Sequence, residues 1–97
     1  MDHSLSARGK DQRSEQFEEI YHRHIAMVYR VCMSYLKNRD DAEDAAADVF
    51  LRLWRSNKSF PSEEYEKAWL LRVTVNRCLD HWKKRDNRHE SIDDHVL

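Results

Sequence analysis

Histidine and cysteine are the residue types here most able to bind a metal or act as nucleophiles, and their spacing predicts no such site. His22 and His24 are two residues apart, which points their side chains to different faces of a helix. His81 and His89 have no pair of cysteines near them, so no zinc spacing is present. The sequence also lacks a glycine-rich phosphate loop and a nucleophile elbow. We therefore expect no metal, no cofactor and no enzymatic activity.

The two cysteines, Cys32 and Cys78, both fall within apolar helical patterns. Two interpretations are open: buried free thiols in a reducing cytosol, or a disulfide that acts structurally or as a redox switch. We favour free thiols, because free cysteine commonly behaves as a small buried hydrophobic residue.

Charge is distributed unevenly along the chain, although the net charge of its 97 residues is only −1. Residues 38–66 carry four Lys/Arg against eight Asp/Glu, whereas residues 67–88 carry seven against two. An acidic segment followed by a basic one predicts two partners on two surfaces. The basic segment is either a solvated helix surface or a nucleic-acid contact, and its excess of positive charge favours the second.

Helices are the elements expected to position these charges. The chain has one glycine and one proline, which leaves few turns, and its 40% hydrophobic content indicates a globular domain despite 36% charged residues. We predict a single all-α domain over residues 15–88, a compact three- to four-helix bundle. Residues 1–14 are expected to be a flexible lead-in, and residues 89–97 the start of an interdomain linker.

Apolar residues recur with the helical period in three segments. The first helix is predicted from about residue 15 to residue 37, the second from about Asp41 after a break at residues 38–40, and the third from about residue 63 to at least residue 84. Asp40 is expected to cap the second helix, in a capping box with Glu43. The predicted buried positions are Phe17, Ile20, Tyr21, Ile25, Val28, Cys32, Tyr35 and Leu36; Ala42, Ala46, Val49, Phe50, Leu53 and Trp54; and Ala68, Leu71, Val75, Cys78, Leu79 and Trp82.

Two tryptophans of the third helix differ in their expected surroundings. Trp82 lies on the apolar stripe, and we expect it in the core. Trp69 lies off the stripe, so it either packs under the preceding loop or stacks on DNA. We favour packing, because tryptophan seldom stays exposed without a partner.

Three blocks of sequence resemble region 2 of the extracytoplasmic-function (ECF) sigma factors: FEEIYHRHIAMVYRVCMSYL, DDAEDAAADVFLRLWRS and AWLLRVTVNRCLDHWKKRDNR. They occur in the family's order and together cover about residues 16–88. The resemblance implies a non-enzymatic bacterial transcription factor that binds core RNA polymerase and recognises and melts the promoter −10 element. It also implies an anti-sigma factor as a further partner. A cytoplasmic protein is expected because no apolar run is long enough for a membrane span and the N-terminus lacks the apolar segment of a signal peptide. No small-molecule substrate and no membrane contact are expected.

The second helix of such sigma factors docks on the clamp helices of the polymerase's largest subunit. The resemblance assigns this role to Asp41, Asp44, Asp48, Leu51, Arg52 and Arg55. Asp48 stands where the family usually has Glu. Ala47 stands where many relatives have Gln, so we expect one polar contact to be missing. An acidic helix surface would suit a basic partner.

The loop and last helix of such sigma factors contact the non-template strand of the −10 element. The resemblance assigns this role to Asn57, Lys58, Ser59 and Phe60 in the loop and to Arg72, Asn76, Arg77, Lys83, Lys84, Arg85 and Arg88 on the helix. Phe60 would stack on a flipped base, and Ser59 or Asn57 would bind its edge. The basic residues would contact phosphates, and Asn76 a base edge or backbone oxygen.

Two other functions stay open. One is a helical protein-interaction adaptor without a DNA role. The other is a stand-alone helix-turn-helix DNA binder, which the length of the last helix disfavours. The resemblance also implies a second domain that reads the −35 element. That domain does not occur within these residues. We expect the sequence to be a fragment of a longer protein, and a natural single-domain form stays open as the alternative.

Overall fold

Three helices make up the computed structural model, which describes residues 11–96 and their side chains as far as Arg85. Helix α1 spans Gln12–Leu36, α2 spans Arg39–Ser56 and α3 spans Glu63–Val96. Each helix contacts both of the others, and the described residues contain no strand. The predicted all-α bundle is confirmed, in its three-helix form. The lead-in expected at residues 1–14 lies mostly outside the described residues, and the boundary at residue 88 stays a prediction.

Helix α1 begins three residues earlier than expected because Asp11 caps it. The Asp11 Oδ1 accepts a hydrogen bond from the Ser14 N–H at 2.9 Å, and this bond lowers the pKa of the Asp11 carboxyl. The helix ends at Leu36, and the next residue, Lys37, caps it in the left-handed conformation with a φ of 57°. The Lys37 N–H donates to the Met33 carbonyl at 2.9 Å, which closes the last turn.

Helix α2 is capped by Asn38, so the predicted capping box of Asp40 and Glu43 is wrong. The Asn38 Oδ1 accepts from the Asp41 N–H at 2.9 Å. The backbone is already helical at Arg39, which places Asp40 inside the first turn rather than before it. Glu43 instead forms an ion pair with Arg39, at 3.3 Å between Oε2 and Nε.

The core lies where the three helices meet, and α2 supplies half of it. The three alanines of α2 at positions 42, 45 and 46 are buried, and such small side chains let helices approach closely. The predicted stripe of α2 is confirmed except at Trp54, which is only partly buried. The buried apolar residues are Val28, Cys32 and Leu36 on α1; Ala42, Ala45, Ala46, Val49, Phe50 and Leu53 on α2; and Leu70 and Cys78 on α3. On α1, Tyr21 and Tyr35 are exposed, contrary to expectation.

Helix α3 buries a face that overlaps the predicted stripe only at Cys78, while the predicted positions Leu71 and Val75 are partly buried. Its buried side chains are Glu66, Leu70, Thr74 and Cys78, four residues apart, whereas Ala68, Leu79 and Trp82 are exposed. At about 100° per residue, the buried face is rotated by roughly 100° from the predicted stripe. Two polar residues lie on the buried face because each has a hydrogen-bond partner. Glu66 binds residues of α1, and the Thr74 hydroxyl donates to the Leu70 carbonyl of its own helix at 2.6 Å.

Glu66 belongs to a polar cluster between α1 and α3. Its Oε1 lies 2.8 Å from His24 Nε2 and accepts from Arg23 Nη1 at 2.6 Å. Arg23 Nε also lies 3.5 Å from Glu63 Oε2. The hydrogen bond with Glu66 raises the pKa of the Arg23 guanidinium. Among the described side chains, no buried polar atom lacks a hydrogen-bond partner.

Cys32 and Cys78 are buried free thiols, as the sequence indicated. Burial raises the pKa of Cys32 to about 12 and also raises that of Cys78, because the interior disfavours a thiolate. The described residues contain no group of three or more potential metal ligands. None of the helices, as far as they are described, is long and apolar enough to cross a membrane.

Candidate functional site

A groove of about 760 Å³ runs between α2 and α3. Charged side chains of both signs line it: Asp44, Asp48, Arg52, Arg77, Asp80, His81, Lys84 and Arg85. Some of these residues were predicted to bind polymerase and others to bind DNA. The structure therefore brings part of each predicted set together, where the sequence indicated two separate surfaces.

Asp48 and Arg77 form the shortest contact across this groove. The Arg77 Nε donates to Asp48 Oδ2 at 2.8 Å, and the two side chains are 21% and 32% exposed. Arg52, one turn along α2, places its Nε 3.3 Å from the same oxygen. A second contact joins the same helices, because His81 Nε2 lies 3.6 Å from Asp41 Oδ2.

The six predicted polymerase-binding residues fall into two rows along α2. Asp41, Asp48 and Arg52 lie on the side that faces α3. Asp44, Leu51 and Arg55 are exposed on the neighbouring outward side, within an arc of roughly 40°. We call these three the outward row of α2. In the part of the chain that the structure describes, neither Asp44 nor Arg55 has an ion-pair partner.

The predicted DNA-binding residues of α3 divide in a similar way. Arg72, Asn76 and Lys83 are exposed and lie within an arc of roughly 40°, which we call the outward row of α3. Arg77 and Lys84 instead line the groove. The Arg85 guanidinium lies 5.2 Å from the centre of the Trp82 ring. The side chain of Arg88 lies outside the described residues.

The loop at residues 57–62 places its predicted side chains near the start of α3. Asn57, Lys58 and Ser59 are exposed, whereas Phe60 is half-buried. The Phe60 ring packs on Trp69, with 5.7 Å between ring centroids and 56° between planes. Trp69 therefore packs under the loop, as favoured from the sequence. The Phe60 ring is partly covered by this contact with Trp69.

Arg13 was missed by the sequence reasoning, because its segment was expected to be flexible. Its guanidinium lies 3.8 Å from the centre of the Trp54 ring and donates a hydrogen bond to the Trp54 carbonyl. Arg13, Asn57 and Lys58 line a cavity of about 40 Å³ beside this contact, which has room for water but not for a base. No spacing rule links Arg13 to a residue 41 positions away.

Comparison with known families gives one match over most of the chain. The family model described as Sigma-70 region 2 matches residues 20–88. This range contains all three helices except the first turns of α1 and the end of α3, together with the loop and both outward rows.

Individual curated proteins are also similar to the chain. The ECF RNA polymerase sigma factor SigE of Mycolicibacterium smegmatis is 32% identical over 81 residues, which are 84% of this chain and 31% of that protein. SigM of Mycobacterium tuberculosis is 31% identical over 68 residues, 70% of this chain and 35% of that protein. SigW of Bacillus subtilis is 28% identical over 71 residues, 73% of this chain and 38% of that protein. The chain thus spans about a third of the length of these relatives. No solved structure matches the chain.

Proposed function

Because the chain belongs to the Sigma-70 region 2 family, we propose that it binds core RNA polymerase and recognises and melts the promoter −10 element during transcription initiation. The relatives named as ECF RNA polymerase sigma factors support this role. In this proposal the polymerase carries out the chemistry, and the chain acts in the cytoplasm without catalysing a reaction. An anti-sigma factor is the partner that would restrain it.

The observation that carries the proposal is the pair of outward rows on adjacent helices. The outward row of α2 combines Asp44, Leu51 and Arg55, which are exposed and without internal ion pairs among the described residues. A central apolar side chain with charged neighbours is the usual composition of a protein-binding patch. We assign this row to the clamp helices, with Asp41, Asp48 and Arg52 behind it.

The outward row of α3 has the chemistry of a DNA contact. Arg72 and Lys83 are exposed cations without an ion-pair partner in the described chain, so phosphates would not have to displace a carboxylate. Asn76 lies between them and carries both a donor and an acceptor, as reading a base edge requires. The loop residues Asn57, Lys58, Ser59 and Phe60 would extend this contact, and Lys84, Arg85 and Arg88 would continue it along the helix.

Polymerase binding is tested by retention on an immobilised clamp-helix fragment of the largest subunit. We expect Asp44→Arg to weaken retention about tenfold, because it reverses an exposed charge within the proposed surface. Glu19→Arg makes the same change on an exposed position of α1 and should leave retention unchanged. Equal retention of both variants and the wild type would refute the docking surface.

DNA recognition is tested on single-stranded oligonucleotides selected from a randomised pool by the chain together with core polymerase. Fluorescence anisotropy should show tighter binding of a selected sequence than of its scrambled form, with an affinity that falls steeply as salt rises. If the chain is retained on the clamp-helix fragment but binds both oligonucleotides equally, it would instead be an adaptor without sequence recognition.

A further inference from the structure

We propose that Asp48 and Arg77 are positioning residues, whose ion pair holds the DNA-facing helix α3 in a defined rotation against the polymerase-docking helix α2. In this role Asp48 is not a primary contact for polymerase, and Arg77 is not a primary contact for DNA. The inference rests on the proposed function and assigns these two residues a different role within it.

The direction of Arg77 is the first argument. It lies about 120° around α3 from the middle of the outward row, on the side that faces α2. Its Nε donates to Asp48 Oδ2 at 2.8 Å, a short charge-assisted bond. A phosphate held by Arg72, Asn76 and Lys83 would lie on another side of the helix from the Arg77 guanidinium.

Burial is the second argument. The Arg77 and Asp48 side chains are only 21% and 32% exposed, so both have lost much of their contact with water. If Arg77 left to bind a phosphate, Asp48 would keep only the longer 3.3 Å contact with Arg52. A partly buried carboxylate without good partners is unfavourable, and the pair is therefore expected to stay closed when DNA binds.

A second contact between α2 and α3 supports a role in fixing the rotation of α3 about its own axis. Asp41 and His81 approach to 3.6 Å, and they lie two turns from Asp48 on α2 and one turn from Arg77 on α3. A helix held at one point can pivot there, whereas a helix held at two heights has a defined rotation about its axis. The direction of the outward row of α3 follows from that rotation.

The test compares DNA binding by Arg77→Gln, Asp48→Asn and the double variant, with Lys83→Gln as the matched control. The probe is the selected single-stranded oligonucleotide, titrated at several salt concentrations where circular dichroism shows each variant folded. We expect both single variants to bind roughly tenfold more weakly, with little further loss in the double variant. The slope of log affinity against log salt should stay unchanged for Arg77→Gln, whereas Lys83→Gln should reduce it by about 0.7.

The competing roles predict opposite results for Asp48→Asn. If Arg77 bound a phosphate, removing the nearby negative charge would leave DNA binding equal or stronger, and Arg77→Gln would reduce the salt slope as Lys83→Gln does. If the pair served stability alone, the folded variants would bind DNA like the wild type. Either outcome overturns the inference. A Lys83→Gln variant with wild-type affinity and slope would instead count against the proposed DNA surface itself.

Exchanging the two charges gives a second measurement. Asp48→Arg and Arg77→Asp should each weaken oligonucleotide binding by more than about tenfold, since each places like charges across the groove. Combined, they restore an oppositely charged pair between the helices, and binding should recover by at least about fivefold over either single variant. Losses that simply add would contradict a positioning role.

Discussion

Glu66 shows how much one side chain contributes to the way α3 packs. Sequence patterns place glutamate at the surface, yet this carboxylate is 6% exposed and holds α3 against His24 and Arg23 of α1. Its burial is possible because the hydrogen bonds replace those that it would make with water. Once Glu66 faces inward, the helical period turns Leu70, Thr74 and Cys78 inward as well.

Removing this carboxylate should therefore destabilise the bundle strongly. We expect Glu66→Ala to lower the free energy of unfolding by about 3 kcal/mol, because it leaves the buried His24 without its partner and Arg23 with only its longer contact to Glu63. Glu64→Ala, at an exposed position of the same helix turn, should change it by less than about 0.5 kcal/mol. Urea denaturation of the two variants measures the difference, and similar values would contradict the role given to Glu66.

Cys32 should make stability depend on alkaline pH. Burial raises its pKa from 9.0 to about 12, so the folded state keeps the thiol protonated where the unfolded chain loses its proton. The resulting stabilisation is fully present below pH 9 and is lost as pH rises towards 12. In that window the free energy of unfolding should fall more steeply for the wild type than for Cys32→Ala, by up to about 1.4 kcal/mol per pH unit. Equal slopes would show that the thiol titrates alike in both states.

The helix ends illustrate a different kind of control, at the scale of the elements. Neither connection uses glycine: Lys37 and Asn57 close α1 and α2 in the left-handed conformation, with φ values of 57° and 52°. The connection between α1 and α2 is consequently only two residues long. Lys37 closes the last turn of α1, and the next residue, Asn38, caps α2.

The position of the α2 cap can be tested with two alanine substitutions. Asn38→Ala should lower the free energy of unfolding by about 1 kcal/mol, because the Asp41 N–H loses its acceptor. Asp40→Ala should cost less, at most about 0.5 kcal/mol, since it removes only a favourable charge near the helix N-terminus. Thermal unfolding of both variants provides the comparison. A larger effect at position 40 would reinstate the capping box.

At the scale of the whole molecule, the two outward rows lie on different helices with the groove between them. Each row points away from the core on its own helix, so a partner bound to one row need not cover the other row. This arrangement suits a domain that binds a protein and a nucleic acid at the same time. The Asp48–Arg77 and Asp41–His81 contacts join the two helices, while the residues of the rows stay exposed.

Binding of the two partners should therefore be simultaneous. We expect the clamp-helix fragment, at saturating concentration, to leave the affinity for the selected oligonucleotide unchanged or to raise it. Anisotropy of a labelled oligonucleotide, followed by size-exclusion chromatography of the mixture, would detect the ternary complex. Release of the oligonucleotide by the fragment would mean that the two surfaces overlap.

Local patterns in the sequence determined the helices and most of the core. The all-α bundle, the buried stripe of α2 and the two buried thiols follow from apolar periodicity and from the lack of glycine and proline, which act over a few residues. The outward positions of Asp44, Arg72 and Asn76 follow from the same periodicity, because polar residues on the far side of an amphipathic helix face solvent.

Only the tertiary structure decided the rotation of α3 and the pairing of charges. The stripe predicted from hydropathy lies roughly 100° around α3 from the buried face, because Glu66 has hydrogen-bond partners on α1 that no local pattern reveals. The same rotation brings Arg77 to Asp48, 29 residues away in sequence. Whether a charge faces a partner or another helix depends on contacts between distant segments, and these form only when the helices pack.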